Sequence, residues 1–131
     1  MQKAVLTLAL AMASSTASAD WLKFGDSEIG TAYVNPATIR KAGAKATMWE
    51  MTDYKIVPDP GNPDQSVRRH YEFNCDEMAL RTLSISAYLG KMGDGRGVLA
   101  VTEPAKWLPL TSGSTGETMW WIACRKSGKI L

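Results

Sequence analysis

The stretch "SVRRHYEFNCDEMALRTLSISAYL", residues 66–89, holds the pattern on which the fold turns. From Ser66 to Cys75 the odd positions are Val67, Arg69, Tyr71, Phe73 and Cys75, and the even positions are Ser66, Arg68, His70, Glu72 and Asn74. Successive side chains of a strand point to opposite faces, so one largely apolar set and one polar set predict a half-buried strand. The pattern returns with Leu83, Ile85, Ala87 and Leu89 on one face and Thr82, Ser84, Ser86 and Tyr88 on the other. Asp76-Glu77-Met78-Ala79, in between, suits a hairpin connection. Two such strands side by side predict an antiparallel sheet with one wet face.

Working outward, "WLKF" (21–24) and "EIGTAYVN" (28–35) read as short strands around a Gly25-Asp26-Ser27 turn. "PATIRKAG" (36–43) reads as a single helical turn opened by Pro36 and closed by Gly43. "KATMWEMTDYKIV" (45–57) carries apolar residues on both faces, as a central strand does. "PDPGNPDQ" (58–65), with three prolines and a glycine, is a loop. "GDGRG" (93–97) is a turn into a strand at "VLAVT" (98–102). Ser114-Thr115-Gly116-Glu117 fits a capping box. It opens a helix from Thr115 to about Arg125, with Lys126 and Gly128 as stop signals. A helix this short is marginal by itself and needs packing or a covalent tie. The fold class is therefore α+β: a single antiparallel β-sheet of about six strands, with a C-terminal α-helix packed on one face and tethered by a disulfide.

The chain starts with Met1-Gln2-Lys3, an apolar run over residues 4–13, and the small-residue site Ala17-Ser18-Ala19. A charged start, a short apolar core and such a site predict an export leader, residues 1–19, ahead of a domain spanning 20–131. The apolar run is too short for a membrane-spanning helix, and no later stretch is apolar enough for one. With no cysteine at the predicted cleavage site, we expect no lipid anchor, and a periplasmic, secreted or cell-surface location. Loss of Lys3 with the leader lowers the formal net charge of +2 to +1. Nucleic-acid binders carry clustered positive charge, and this balance does not suggest one.

The chain has one histidine and two distant cysteines. A structural zinc site needs four convergent ligands at recognisable spacing, so no metal or cofactor is expected. No serine sits in a G-x-S-x-G elbow and no second histidine offers a base, which argues against an enzyme. "GKMGDGRG" (90–97) lacks phosphate-loop spacing, and a strand rather than a helix follows it. Two cysteines in an exported chain most simply pair, so Cys75 and Cys124 are expected to form a disulfide across the buried face. Adjacent residues of a helix differ in direction by about 100°, so Trp120 and Trp121 cannot both face the sheet. Trp49 and one of that pair are expected in the core. Arg68, His70 and Glu72 on the polar strand face, with Trp107 and Trp121, are the candidate binding surface, suited to an acidic partner. His70 itself is expected to be solvated.

With these residues in place, the chain resembles the surface-adhesin protein E family of exported Gram-negative proteins. The resemblance runs through Trp21, "AYVNPATIRKAG" (32–43), "ATMWEMTDY" (46–54), "YEFNCDEMALRTLS" (71–84) and "KWLPLTSGSTGETMWWIAC" (106–124). Order and spacing of the set carry it, since no single motif is chemically specific. It implies a small antiparallel sheet with a disulfide-fastened C-terminal helix, Cys75 and Cys124 being the bonded pair. It also implies non-enzymatic binding of a protein partner, host extracellular-matrix or plasma proteins, with homodimers among its members. The competing expectation is a soluble periplasmic accessory or structural protein of the envelope.

Overall fold

A computed structural model describes residues 20–56, 61, 63–101 and 104–125. The expected leader, Val57, residues 58–60 and 62 of the expected 58–65 loop, Thr102 and the stop signals Lys126 and Gly128 lie outside the described residues. The elements are β1 (Leu22–Asp26), β2 (Gly30–Ala42), β3 (Lys45–Tyr54), β4 (Ser66–Asn74), β5 (Ala79–Tyr88), β6 (Gly97–Val101), β7 (Leu108–Pro109) and α1 (Thr115–Cys124). Strands β1 to β6 form an antiparallel meander in chain order, and the two-residue β7 pairs with the start of β5. The expected sheet with one helix on it is what the chain forms.

Register explains which side chains meet. Between β3 and β4 the pairing runs unbroken from Lys45↔Asn74 to Asp53↔Ser66. One face therefore presents Ala46, Met48, Glu50 and Thr52 beside Phe73, Tyr71, Arg69 and Val67. The opposite face presents Thr47, Trp49, Met51 and Asp53 beside Glu72, His70, Arg68 and Ser66. The hairpin from β2 to β3 closes at Gly43, whose φ of 63° suits the leading position of a two-residue turn.

Two irregularities depart from the sequence reading. Of residues 36–43, expected as a helical turn, all but Gly43 belong to β2, where pairing slips between Asn35↔Trp49 and Arg40↔Thr47. Pro36 has no N–H to give the ladder, and the segment bulges away. The Thr38 hydroxyl takes up the slack, donating to the Asn35 carbonyl at 2.6 Å and accepting the Trp49 amide at 3.1 Å. In β5, pairing slips between His70↔Ser84 and Tyr71↔Thr82, so Leu83 is the extra residue of a bulge. The bulge reverses the facing of what precedes it. Leu80, opposite Phe73, joins the core, and β5 begins at Ala79 rather than Thr82.

The core is the space between α1 and one face of the sheet. Val34, Ala46, Met48, Phe73 and Leu80 from the strands meet Met119, Ala123 and Cys124 from the helix, with Trp120 and Ile122 packed alongside. At the helix start Ser114 Oγ accepts the Glu117 amide at 3.2 Å, as the capping box requires. The reciprocal arm reaches one residue further back, Glu117 Oε1 accepting the Gly113 N–H at 2.7 Å. Trp120 Nε1 donates to the Asn74 carbonyl at 2.8 Å, tying the helix to the end of β4 beside the disulfide.

Cys75 and Cys124 are bonded, with Cα atoms 5.5 Å apart and a sequence separation of 49. Closing a loop of that length removes chain entropy from the unfolded state worth about 4 kcal/mol at room temperature. A Cys75→Ser, Cys124→Ser double variant is expected to lose about 2–4 kcal/mol of unfolding free energy, read by urea titration. The unfolding slope should fall as well if the helix detaches before the sheet melts. Unchanged stability with an unchanged slope would remove the disulfide from the set of structural determinants.

Candidate functional site

The face opposite α1 is not uniformly wet. Met51 has 0% exposure although it points away from the helix. Arg68 folds over it from the neighbouring strand, its guanidinium carbon 5.4 Å from the ring centre of Trp21 and 5.3 Å from that of Tyr88. The turn after β5 closes the arrangement. Buried Ser66 donates through Oγ to the Gly90 carbonyl at 2.6 Å and accepts the Gly93 N–H at 2.8 Å. Asp53 Oδ1 accepts the Met92 N–H at 2.6 Å, and Lys91 Nζ donates to the Tyr54 carbonyl. Met92 is held at φ 57°, ψ 35°, a left-handed conformation uncommon outside glycine.

Further along the same face His70 stacks on Trp49, ring centres 4.4 Å apart and planes within 5°. His70 is thus half-buried rather than solvated, and Trp49, expected in the core, lies on this face. Beyond them Arg81 binds Glu72 at 2.8 Å and lies 4.7 Å from the ring centre of Trp107, while Lys45 Nζ approaches that ring to 5.9 Å. Of the five residues expected to form a binding surface, four share this face: Arg68, His70, Glu72 and Trp107. Trp121 does not. It stands 43% exposed on the helix, its indole N–H donating to Glu117 Oε2 at 3.3 Å. Trp120 is the tryptophan turned to the core, edge-on to Trp121 at 5.0 Å. Trp21 and Tyr88 reach Arg68 only through tertiary contact, which nothing local in the sequence announces.

The other face holds its own charged group, which is structural. Glu50, 4% exposed, binds Arg69 at 3.0 Å, and the Thr52 hydroxyl bridges both. Burial works against the Arg69 charge, but Glu50, helped by Tyr71 and Tyr54, more than offsets it and raises the pKa above its ordinary value. Burial pushes the neighbouring Tyr71 phenol up to about 12. An open recess of about 300 Å³ near the helix start, lined by Gly25, Ile29, Gly30, Ala32, Thr52 and Thr115 among others, contains none of the expected site residues. Among the described residues no three His, Cys, Asp or Glu side chains converge as a metal site would require.

Comparison with known proteins places the fold. A family model described as surface-adhesin protein E matches residues 21–125. The chain belongs to the surface-adhesin protein E family. Two solved structures of Haemophilus influenzae protein E align with it at a TM-score of 0.64. In crystal form II the identity is 18%, with 86% of this chain and 92% of the other covered. In the second the identity is 17% and the coverage 87% and 90%. Protein E from non-typeable Haemophilus influenzae aligns at a TM-score of 0.59 and 16% identity, covering 84% of this chain and 78% of the other. At these identities the solved structures speak for the fold alone. No curated protein matches the chain significantly. No helix among the described residues is long and apolar enough to cross a membrane. The sheet and its helix are the fold shared with those structures, and in this chain the face away from the helix carries the cation–aromatic contacts.

Burial lowers the His70 pKa below the ordinary 6.5, and nearby Glu72 offsets this only in part. The unfolded chain therefore binds a proton at His70 more readily than the folded one. The associated stability is present at neutral pH and lost as pH falls below 6.5 toward the folded value. The single histidine should titrate below 6.5 by NMR, and His70→Gln should remove the fall in melting temperature over that interval. A midpoint above 6.5 would mean that Glu72 rather than burial governs the ring.

Proposed function

We propose that the protein is an exported, non-enzymatic binding protein of the adhesin type, engaging host extracellular-matrix or plasma proteins through its sheet. The observation that carries this reading is the family match across residues 21–125, nearly all of the expected mature domain. The leader pattern of residues 1–19 and the cysteine pair are both at home in an oxidising, extracytoplasmic setting. The face opposite α1, with Arg68, His70, Glu72 and Trp107, is the surface we assign to partner contact. Its half-buried aromatics and arginines are the residue types that anchor protein interfaces. Trp121 belongs to the helix face and is left out of it.

Two measurements test the reading together. Protease treatment of intact cells should degrade the protein, as expected for a surface protein. Purified protein should bind immobilised matrix and plasma proteins saturably, whereas its heat-denatured, reduced form should not. Protein confined to the periplasm and without matrix binding would instead make it an accessory protein of the envelope.

A further inference from the structure

The arginines of the sheet differ in one respect. Arg69 has Glu50, Arg81 has Glu72, and exposed Arg40 donates to the carbonyls of Ala37 and Ile39. Among the described residues Arg68 makes no such bond. Its Nε is buried without a hydrogen-bond partner among the described residues. Gly93, at φ 73°, presses against it so closely that a Cβ there would sit 2.6 Å from Nε and 2.8 Å from Nη2. A guanidinium taken partly out of water without an acceptor is costly. The rings of Trp21 and Tyr88 compensate part of that cost through its faces, leaving the N–H groups in its plane unmet. Nε is sealed under the turn, so the donors left for another molecule are the two Nη groups. They form a fork whose geometry matches a carboxylate.

The surroundings favour the same ligand. Strand register places Lys23, Arg40, Lys45 and Arg81 on this face with Arg68. The carboxylates that strand register places on it are already engaged: Glu72 by Arg81, Asp26 by Lys55, and Asp53 by the Met92 amide. The face is left cationic in a protein whose net charge is only +2. A polysulfated glycan would draw on all of these cations without needing a fork, whereas a carboxylate uses the one enclosed, pre-positioned fork, that of Arg68.

We infer that Arg68, clamped between Trp21 and Tyr88 under the Lys91–Gly93 turn, is the seat for a carboxylate presented by an acidic segment of a protein partner. This deepens the binding function proposed above and rests on it. The turn is part of the seat. The bonds from Ser66 and Asp53 hold Met92 in its left-handed conformation, which keeps Gly93 against the guanidinium and fixes its rotamer before any partner arrives. Rigidity of that kind lowers the ordering cost of binding.

The test uses protein expressed from its full sequence. The probe is a fluorescent, end-blocked peptide of alternating Glu and Gly, with the Gln-Gly peptide as neutral control. Fluorescence anisotropy should show saturable, salt-dependent binding of the Glu peptide only. Arg68→Lys keeps the charge but loses the fork, and should weaken that binding by roughly tenfold or more. In the unmodified protein the Arg68 side-chain N–H resonances should shift on titration, a readout independent of whether the variant folds. Equal affinity in the Lys variant, or unshifted Arg68 resonances at saturation, would overturn the assignment. So would tighter binding of a heparin oligosaccharide that Arg68→Lys leaves intact. Matrix binding that survives Arg68→Lys would reject the seat and leave the adhesin reading standing. Loss of Glu-peptide binding in the variant, in a protein that never binds matrix, would do the reverse.

Discussion

Everything in this molecule depends on a helix of ten residues staying on one face of the sheet. A helix of that length is not stable alone. Its covering of Val34, Ala46, Met48, Phe73 and Leu80 is what gives the sheet a core. Its start is capped at Ser114, and it is held to the sheet by Lys41 Nζ on the Arg125 carbonyl, the Trp120 indole on the Asn74 carbonyl, and the Cys75–Cys124 bond. The last two converge at the end of β4, so the helix is anchored where that strand leaves the sheet.

That second face is not simply the solvated side of a half-buried sheet. Met51 is as buried there as Met48 is beneath the helix. The cover is made of polar and aromatic side chains, Arg68, Trp21 and Tyr88, and of a glycine-bearing turn pinned by Ser66 and Asp53. Charged side chains with long apolar stems can cover apolar surface while keeping their heads near water. Here the head is left with donors unused, which is why the cover also reads as a recognition element.

Much of this was legible in the sequence, for physical reasons that also mark where legibility ends. The alternation over 66–75 was readable because β4 pairs with β3 without a slip, so periodicity and facing agree. The helix was readable from its capping residues, which act within four positions of one another. The disulfide needed only two cysteines and an oxidising setting. Pro36 misled because it can begin a helical turn or break a ladder, and the choice lay with the Thr38 hydroxyl and the distant Trp49 amide. Leu83 misled because one extra residue reverses the facing of a strand, and nothing local announces a bulge. The contacts of Trp49 with His70, and of Arg68 with Trp21 and Tyr88, form between strands. Sequence types such residues as polar or aromatic without saying which of them meet.

We propose a division of labour between faces: the helix side for stability, the opposite side for recognition. Hydroxyl-radical footprinting of the protein, free and bound to an immobilised matrix or plasma protein, tests it directly. The account predicts that Trp21, Trp49, His70, Tyr88 and Trp107 lose reactivity on binding while exposed Trp121 keeps it. Protection of Trp121 with the other five unchanged would contradict the account and move recognition to the helix.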